Sequence, residues 1–134
     1  MSVIYDVVGL TYKNIGDVGI DKWTFSAPKV KGGIAYQDDH VVINYIPQGI
    51  TDDKTFNNLV NINLYINKSD DSRHNTALIC SLADQIKNNL IGAQDGESYV
   101  GYLMYEFLNE TQILDEPNTN FSIGNIQVQV TASN

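Results

Sequence analysis

The chain has 134 residues, the usual size of one domain, and by surface scaling it can bury roughly two-thirds of the area its unfolded form exposes, so a single core is expected. A hydrophobic fraction of 43% with 18% charged residues excludes a disordered chain, and the lone cysteine, Cys80, excludes an internal disulfide or a cysteine metal cluster. A net charge of -8, with the few Lys and Arg scattered from Lys13 to Lys87, excludes gripping nucleic acid through its phosphates, although an acidic surface can let DNA pass without holding it.

From Ser2 to Tyr12 the apolar positions Ile4, Val8 and Tyr12 fall at helical spacing and predict a short helix. This stretch has no basic leader region and is broken by Asp6 and Lys13. No later run approaches the ~20 apolar residues that span a bilayer. Neither secretion nor membrane insertion is expected, and the starting compartment is the cytoplasm. After Gly16 and Gly19, "DKWTFSAPK" alternates Trp23 and Phe25 with polar residues until Pro28, an edge-type strand. Residues 29–39 form a loop by their Gly pair, with a brief strand about Ile34 and Tyr36.

"HVVINYIPQG" is a stronger strand. Val41, Ile43 and Tyr45 face one way, Val42, Asn44 and Ile46 the other, and Pro47 with Gly49 is expected to stop it. Residues 50–58 are read as a polar connection and 59–67 as a third strand, pairing with the second as a long hairpin. That third strand alternates Val60, Ile62, Leu64 and Ile66 with Asn61, Asn63, Tyr65 and Asn67. Asn is depleted from strands because its side chain competes for local backbone hydrogen bonds, so propensity does not account for the row.

A helix is predicted over 71–91, with Leu78, Ile79, Leu82, Ile86 and Leu90 on one stripe, N-cap side chains from Ser69 to Ser72, and Gly92 as the stop. "YVGYLMYEFLN" is apolar or aromatic on both faces, and "TQILDEPN" follows it until Pro117. The last strand, "FSIGNIQVQVTASN", alternates Ile126, Val128 and Val130 with Gln127 and Gln129. Gly124 marks an expected bulge. The sum is an α+β fold: a mostly antiparallel sheet of four to five strands, one long amphipathic helix (71–91) packed on one face, and a short N-terminal helix, in one domain spanning residues 1–134.

The sequence offers little chemistry. His40, after Asp38 and Asp39, reads as part of a solvated turn, His74 as a surface residue, and Cys80 as a buried inert thiol. The acidic pairs Asp52–Asp53, Asp70–Asp71 and Asp115–Glu116 read as solvated turns. "DDKTFNN" lacks the spacing of a calcium loop, and "KGG" does not lead into a helix as a phosphate loop would. No catalytic residue, cofactor or metal is expected. What stands out is Tyr and Asn on strands, a composition suited to contact surfaces, which makes Asn44, Asn61, Asn63, Tyr65, Tyr99, Tyr102 and Tyr105 candidates for a subunit interface or a ring lumen.

The order of elements carries a resemblance. Asp39, Val41, Val42 and Asn44 lead one strand; Val60, Asn61, Ile62, Asn63, Leu64 and Tyr65 form the next; the helix with Leu78, Leu82, Ile86 and Leu90 follows. Over about residues 38–90 this block resembles the tail completion proteins of long-tailed phages, the group of tail terminators and head-tail joining proteins, and "ILDEPNTNFSIGNIQVQV" is similar to their closing pair of strands. The N-terminal helix is shorter than in that group, and "GIDKWTFSAPKVKGGIAY" has no counterpart there.

The resemblance implies a structural virion protein with no turnover, assembled in the host cytoplasm into a homo-oligomeric ring, usually a hexamer. Such a ring sits in the neck at the head-proximal end of the tail, contacts the tail tube protein and the head connector or stopper, and passes DNA through its lumen without specific binding. Another tail position, in the tube or baseplate, is the nearest alternative. A small ligand-binding or enzymatic α+β domain with Tyr-rich strands around a pocket is the alternative of a different class.

Overall fold

Two long alternating strands organise the molecule, β4 (His40–Ile50) and β5 (Thr55–Asn67), which pair antiparallel with Val41 opposite Leu64 and Ile43 opposite Ile62. The computed structural model describes residues 7–50, 55–69, 72–94, 102–117 and 119–133. On the other side of β5 runs β8 (Phe121–Ser133), also antiparallel, with Ile62 opposite Ile126 and Val60 opposite Val128. Residues directly opposite in such a ladder share a face. One face therefore collects Val41, Ile43, Val60, Ile62, Leu64, Ile126 and Val128, all fully buried, and the other collects Asn61, Asn63, Asn125 and Gln127.

The fold is α+β, with a mixed six-stranded sheet in the order β1-β4-β5-β8-β6 and β7 also on β8. β6 (Tyr102–Phe107) pairs with the later half of β8, and β7 (Gln112–Asp115) with the earlier half. β1 (Asp21–Thr24) lies at the far edge, parallel to β4. A parallel neighbour requires a crossover, and residues 25–39 make it, folding part of themselves into a small hairpin of β2 (Val30–Lys31) and β3 (Ile34–Ala35). Gly32 and Gly33 both have positive φ (64° and 82°), as a tight two-residue hairpin turn demands.

Two helices cover the apolar face, α1 (Val7–Asn14) and α2 (Thr76–Gln94). Ile79, Leu82, Ala83, Ile86 and Leu90 of α2 and Val7 and Val8 of α1 are buried against the sheet, each large side chain stabilising by about 1.5–3 kcal/mol. A polar bond ties α2 to the end of α1, Asn89 Nδ2 donating to Ile15 O at 2.7 Å, and within α1 the buried Thr11 Oγ1 donates to Val7 O at 2.7 Å.

Several sequence expectations need correction. Among the described residues the sheet has six strands instead of four or five, and the first helix reaches Asn14, with residues 1–6 outside the described residues. Pro47 does not end β4; a register shift between Pro47 and Ile50 absorbs it, and β5 already begins at Thr55, inside what was read as a polar connection, of which residues 51–54 lie outside the described residues. The long helix begins at Thr76 instead of 71, because Asn75 supplies the cap, its Oδ1 accepting from Leu78 N at 3.3 Å, while Ser69 and Ser72 close a preceding turn. Gly92 lies inside that helix.

Gly124 is the most informative correction. The register of β5 on β8 passes through it without a shift, Tyr65 facing Ile123, Leu64 facing Gly124 and Asn63 facing Asn125, so it is no bulge. A Cβ there would lie 2.5 Å from Ile79 Cγ2, so the glycine is what lets α2 sit down on β8. Gly124→Ala is expected to lower the unfolding free energy by about 1–3 kcal/mol through overpacking, and Ile79→Ala by about 2–5 kcal/mol through a cavity. Urea unfolding of the double variant should fall well short of the sum, since each change relieves the other; strict additivity would show that this contact is not what requires glycine.

Candidate interaction face

The face of the sheet opposite the helices carries a ladder of side-chain amides. Asn125 Nδ2 donates to Asn63 Oδ1 at 2.7 Å and reaches Asn61 Oδ1 at 3.5 Å. Gln127 Nε2 donates to the same Asn61 oxygen at 3.2 Å, and Asn109 Nδ2 donates to Gln127 Oε1 at 3.0 Å. The Asn row of β5 is thus matched by an Asn/Gln row on β8, and amides that weaken an isolated strand here bond across two strands. At the end of β5, Asn67 anchors the chain by N and Nδ2 donating to Asp39 Oδ1, both at 2.8 Å, while its own Oδ1 accepts from Asn120 at 3.0 Å.

Beside the amides lies an aromatic cluster. His40 stacks on Tyr65 with ring centres 4.7 Å apart and planes 4° from parallel, and Phe121 meets both edge-on. Tyr36, from the crossover, packs on His40 at 4.8 Å, and its hydroxyl accepts from Trp23 Nε1 at 3.0 Å while donating to the Asp21 carboxylate. That bond and a second from Lys31 hold the Asp21 carboxyl below its ordinary range, while burial and the same bond to Asp21 push the Tyr36 phenol up.

The crossover and the β7–β8 turn rise on either side of this cluster and leave a cleft of about 540 Å³, walled by Phe25 to Lys29, Tyr36 and Glu116 and floored by His40, Val42, Asn44 and Tyr65. Phe25 stands at its rim with φ of 69°, a left-handed conformation that a bulky side chain adopts only when its surroundings hold it there. Here its N–H donates to Ile43 O at 2.7 Å, and its ring meets Tyr45 edge-on.

Asn61, Asn63 and Tyr65 stand together on this face, half-buried, and Asn44 joins them directly opposite Asn61. Tyr105 does not: it is buried on the helix side, where its hydroxyl accepts from Asn14 Nδ2 at 2.9 Å, because it stands opposite the core residue Val130. The backbone of Tyr102 pairs with Ser133, and Tyr99 lies outside the described residues.

His40 is no solvated-turn residue, being only 5% exposed, with Nδ1 donating to Asp38 O at 2.7 Å. Cys80 is exposed where a buried thiol was expected, since α2 turns it away from the stripe of Ile79 and Leu82. His74 is on the surface, as expected, but precedes α2 and bonds to Ser122 Oγ through Nδ1. The acidic pairs at 52–53 and 70–71 lie outside the described residues.

Sequence reasoning missed the partners Asn125 and Gln127. The alternation about Ile126 and Val128 marked a wet face, but nothing in the sequence set its register against β5. Among the described residues no group of three His, Cys, Asp or Glu is placed to hold a metal ion, and no helix is long and apolar enough to cross a membrane. No protein-family model matches the chain, and no curated protein matches it either.

Burial, and then the negative charge of Glu116, pushes the Tyr65 phenol above its ordinary value of 10.0. Tyr36 and Tyr105 shift the same way, burial leading in each. A raised folded value means that the unfolded chain ionises first, so the stability these groups contribute is complete below about pH 10 and falls as pH rises through their folded values. The melting temperature is expected to hold to about pH 10 and then drop, and Tyr65→Phe should make that drop shallower. An unchanged alkaline profile in this variant would contradict the shift.

Proposed function

We propose that the chain is a structural protein of a bacteriophage neck. Its subunits form a ring, of six copies, at the head-proximal end of the tail, ending the tail tube and joining it to the head connector or stopper. The observation that carries this reading is one-sidedness: both helices lie on one face, leaving on the other a half-buried field of amides and aromatics. Such a face makes contacts without bringing charge. The strand–strand–helix block of residues 38–90 and the acidic balance of -8, which suits passage of DNA through a lumen, support the same reading.

A phage lacking the protein is expected to produce tails of irregular length that fail to join heads, counted by electron microscopy. Normal joined tails would overturn the proposal. Asn61→Ala with Asn63→Ala should cost the fold about 1 kcal/mol per lost hydrogen bond while weakening assembly, because Asn125 and Gln127 stay half-exposed and can bond water. Sedimentation of the double variant that matched the wild-type chain at every concentration would remove the amide face from the interface.

The cleft favours a second reading, a small-ligand site, since its volume falls within the range of such sites. That reading requires a small molecule to raise the melting temperature by mass action, whereas a ring requires the melting temperature to depend on protein concentration.

A further inference from the structure

The buried ring of His40 is only half satisfied. Its Nδ1 donates to Asp38 O at 2.7 Å, which makes Nε2 the acceptor of the neutral imidazole. Nε2 has no hydrogen-bond partner among the described residues. It is not sealed in either, because the one fully buried side-chain polar atom without a partner among those residues is Thr111 Oγ1. The 5% of His40 that stays exposed therefore includes this nitrogen, and the open space that His40 borders is the cleft of about 540 Å³. A polar group held at the floor of a largely apolar cleft is what orients a small ligand.

Two opposite charges wall the same end of that cleft. Lys29 O accepts from Tyr36 N at 2.9 Å, and Tyr36 packs on His40. From the other wall, Glu116 N donates to Phe121 O at 3.3 Å, and Phe121 meets His40 and Tyr65 edge-on. Lys31 and Lys68 are taken by Asp21, Asp38 and Asp115, whereas neither Lys29 nor Glu116 is in an ion pair among the described residues. An acceptor nitrogen, a carboxylate and an ammonium at one end match a ligand that presents an ammonium and a carboxylate side by side, which is the head of an α-amino acid.

The rest of the cleft suits its side chain. Val42, itself 5% exposed, follows His40 on the floor, and Pro28 and Phe25 stand on the wall. The left-handed φ of 69° at Phe25 is a local strain of the kind found at ligand clamps. Asn44 closes the far end, and its amide, one donor group and one acceptor, has no side-chain bond among the described residues. From His40 to Asn44 the strand rises about 13 Å. With a hydrogen bond of about 2.9 Å at each end, about 7 Å remains, roughly the reach of an aromatic amino acid from its amine to a polar atom of its ring.

We infer that the cleft binds a free aromatic α-amino acid whose ring carries a polar atom: its ammonium on His40 Nε2 and Glu116, its carboxylate on Lys29, its ring over Val42, and the polar ring atom on Asn44. The inference deepens the small-ligand reading of the cleft and rests on it, independently of the ring.

The probe is L-tryptophan, titrated at millimolar concentration into the full isotope-labelled chain and followed by NMR, with calorimetry for the affinity. Chemical shifts should change first at the amides of Phe25, Lys29, His40 and Glu116. N-acetyl-tryptophan, which lacks the ammonium, and tryptophan amide, which lacks the carboxylate, should each bind about tenfold more weakly. Glu116→Gln should remove the preference over the N-acetyl compound, Lys29→Gln the preference over the amide, and Asn44→Leu the preference for tryptophan over phenylalanine. Circular dichroism verifies that every variant is folded. Derivatives that bind as well as tryptophan, or variants that keep all three preferences, would overturn the inference. Shifts at the same amides from adenosine, glucose or citrate, with none from an amino acid, would overturn it and leave the cleft a small-ligand site. No shift there from any of these probes would overturn both.

Discussion

The antiparallel register between β5 and β8 decides what each face of this protein is. It runs from Thr55 opposite Ser133 to Asn67 opposite Phe121 without a shift, the longest pairing in the sheet. Because side chains alternate, a slip by one residue would send Val60, Ile62, Leu64 and Ile66 to the open side and bring the asparagines under the helices. Two features lock it. On the helix side, Gly124 must fall beneath Ile79, since any side chain there meets its methyl group. On the open side, Asn125 and Gln127 must fall opposite Asn63 and Asn61, where their amides bond. The apolar and polar requirements agree on one alignment, the consistency across levels that makes a fold specific.

From that register follows an asymmetry in how the molecule meets its surroundings. The helices spend themselves on one face, so the other is left to the amide ladder, the His40–Tyr65–Phe121 cluster and the crossover that partly walls them. The two edges also differ. At one, the parallel strand β1 demands a long return, and that return carries the small hairpin of β2 and β3, tied back beside its turn by Lys31 on Asp21. At the other, β6 and β7 end the sheet with acidic and apolar residues. A subunit with two unlike edges and a face that the helices leave uncovered offers different surfaces on its different sides, which is what the proposed ring would use.

The alternation of Val60 to Ile66, and the helical stripe from Ile79 to Leu90, were legible because each repeats one period over enough residues to leave no rival. Edges and ends were less so. Pro47 read as a stop because a proline lacks the ladder donor, yet a local register shift absorbs it. Gly124 read as a bulge because the reason for a glycine lay on a helix far away in sequence. His40 read as solvated for the same cause, since Tyr65, Phe121 and Tyr36 reach it from three separate segments. Tyr105 was grouped with the outer face because a strand apolar on both sides gives no sign of which side is which. Long-range contact, invisible to local pattern, accounts for each of these differences.

The most direct measurement is a cryo-electron microscopy reconstruction of the assembled particle at side-chain resolution. The expected result is a closed ring in the neck in which Asn44, Asn61, Asn63 and Tyr65 of every subunit lie against a neighbour or line the lumen. A particle in which the chain is monomeric, or in which this face looks out to bulk solvent, would contradict the account.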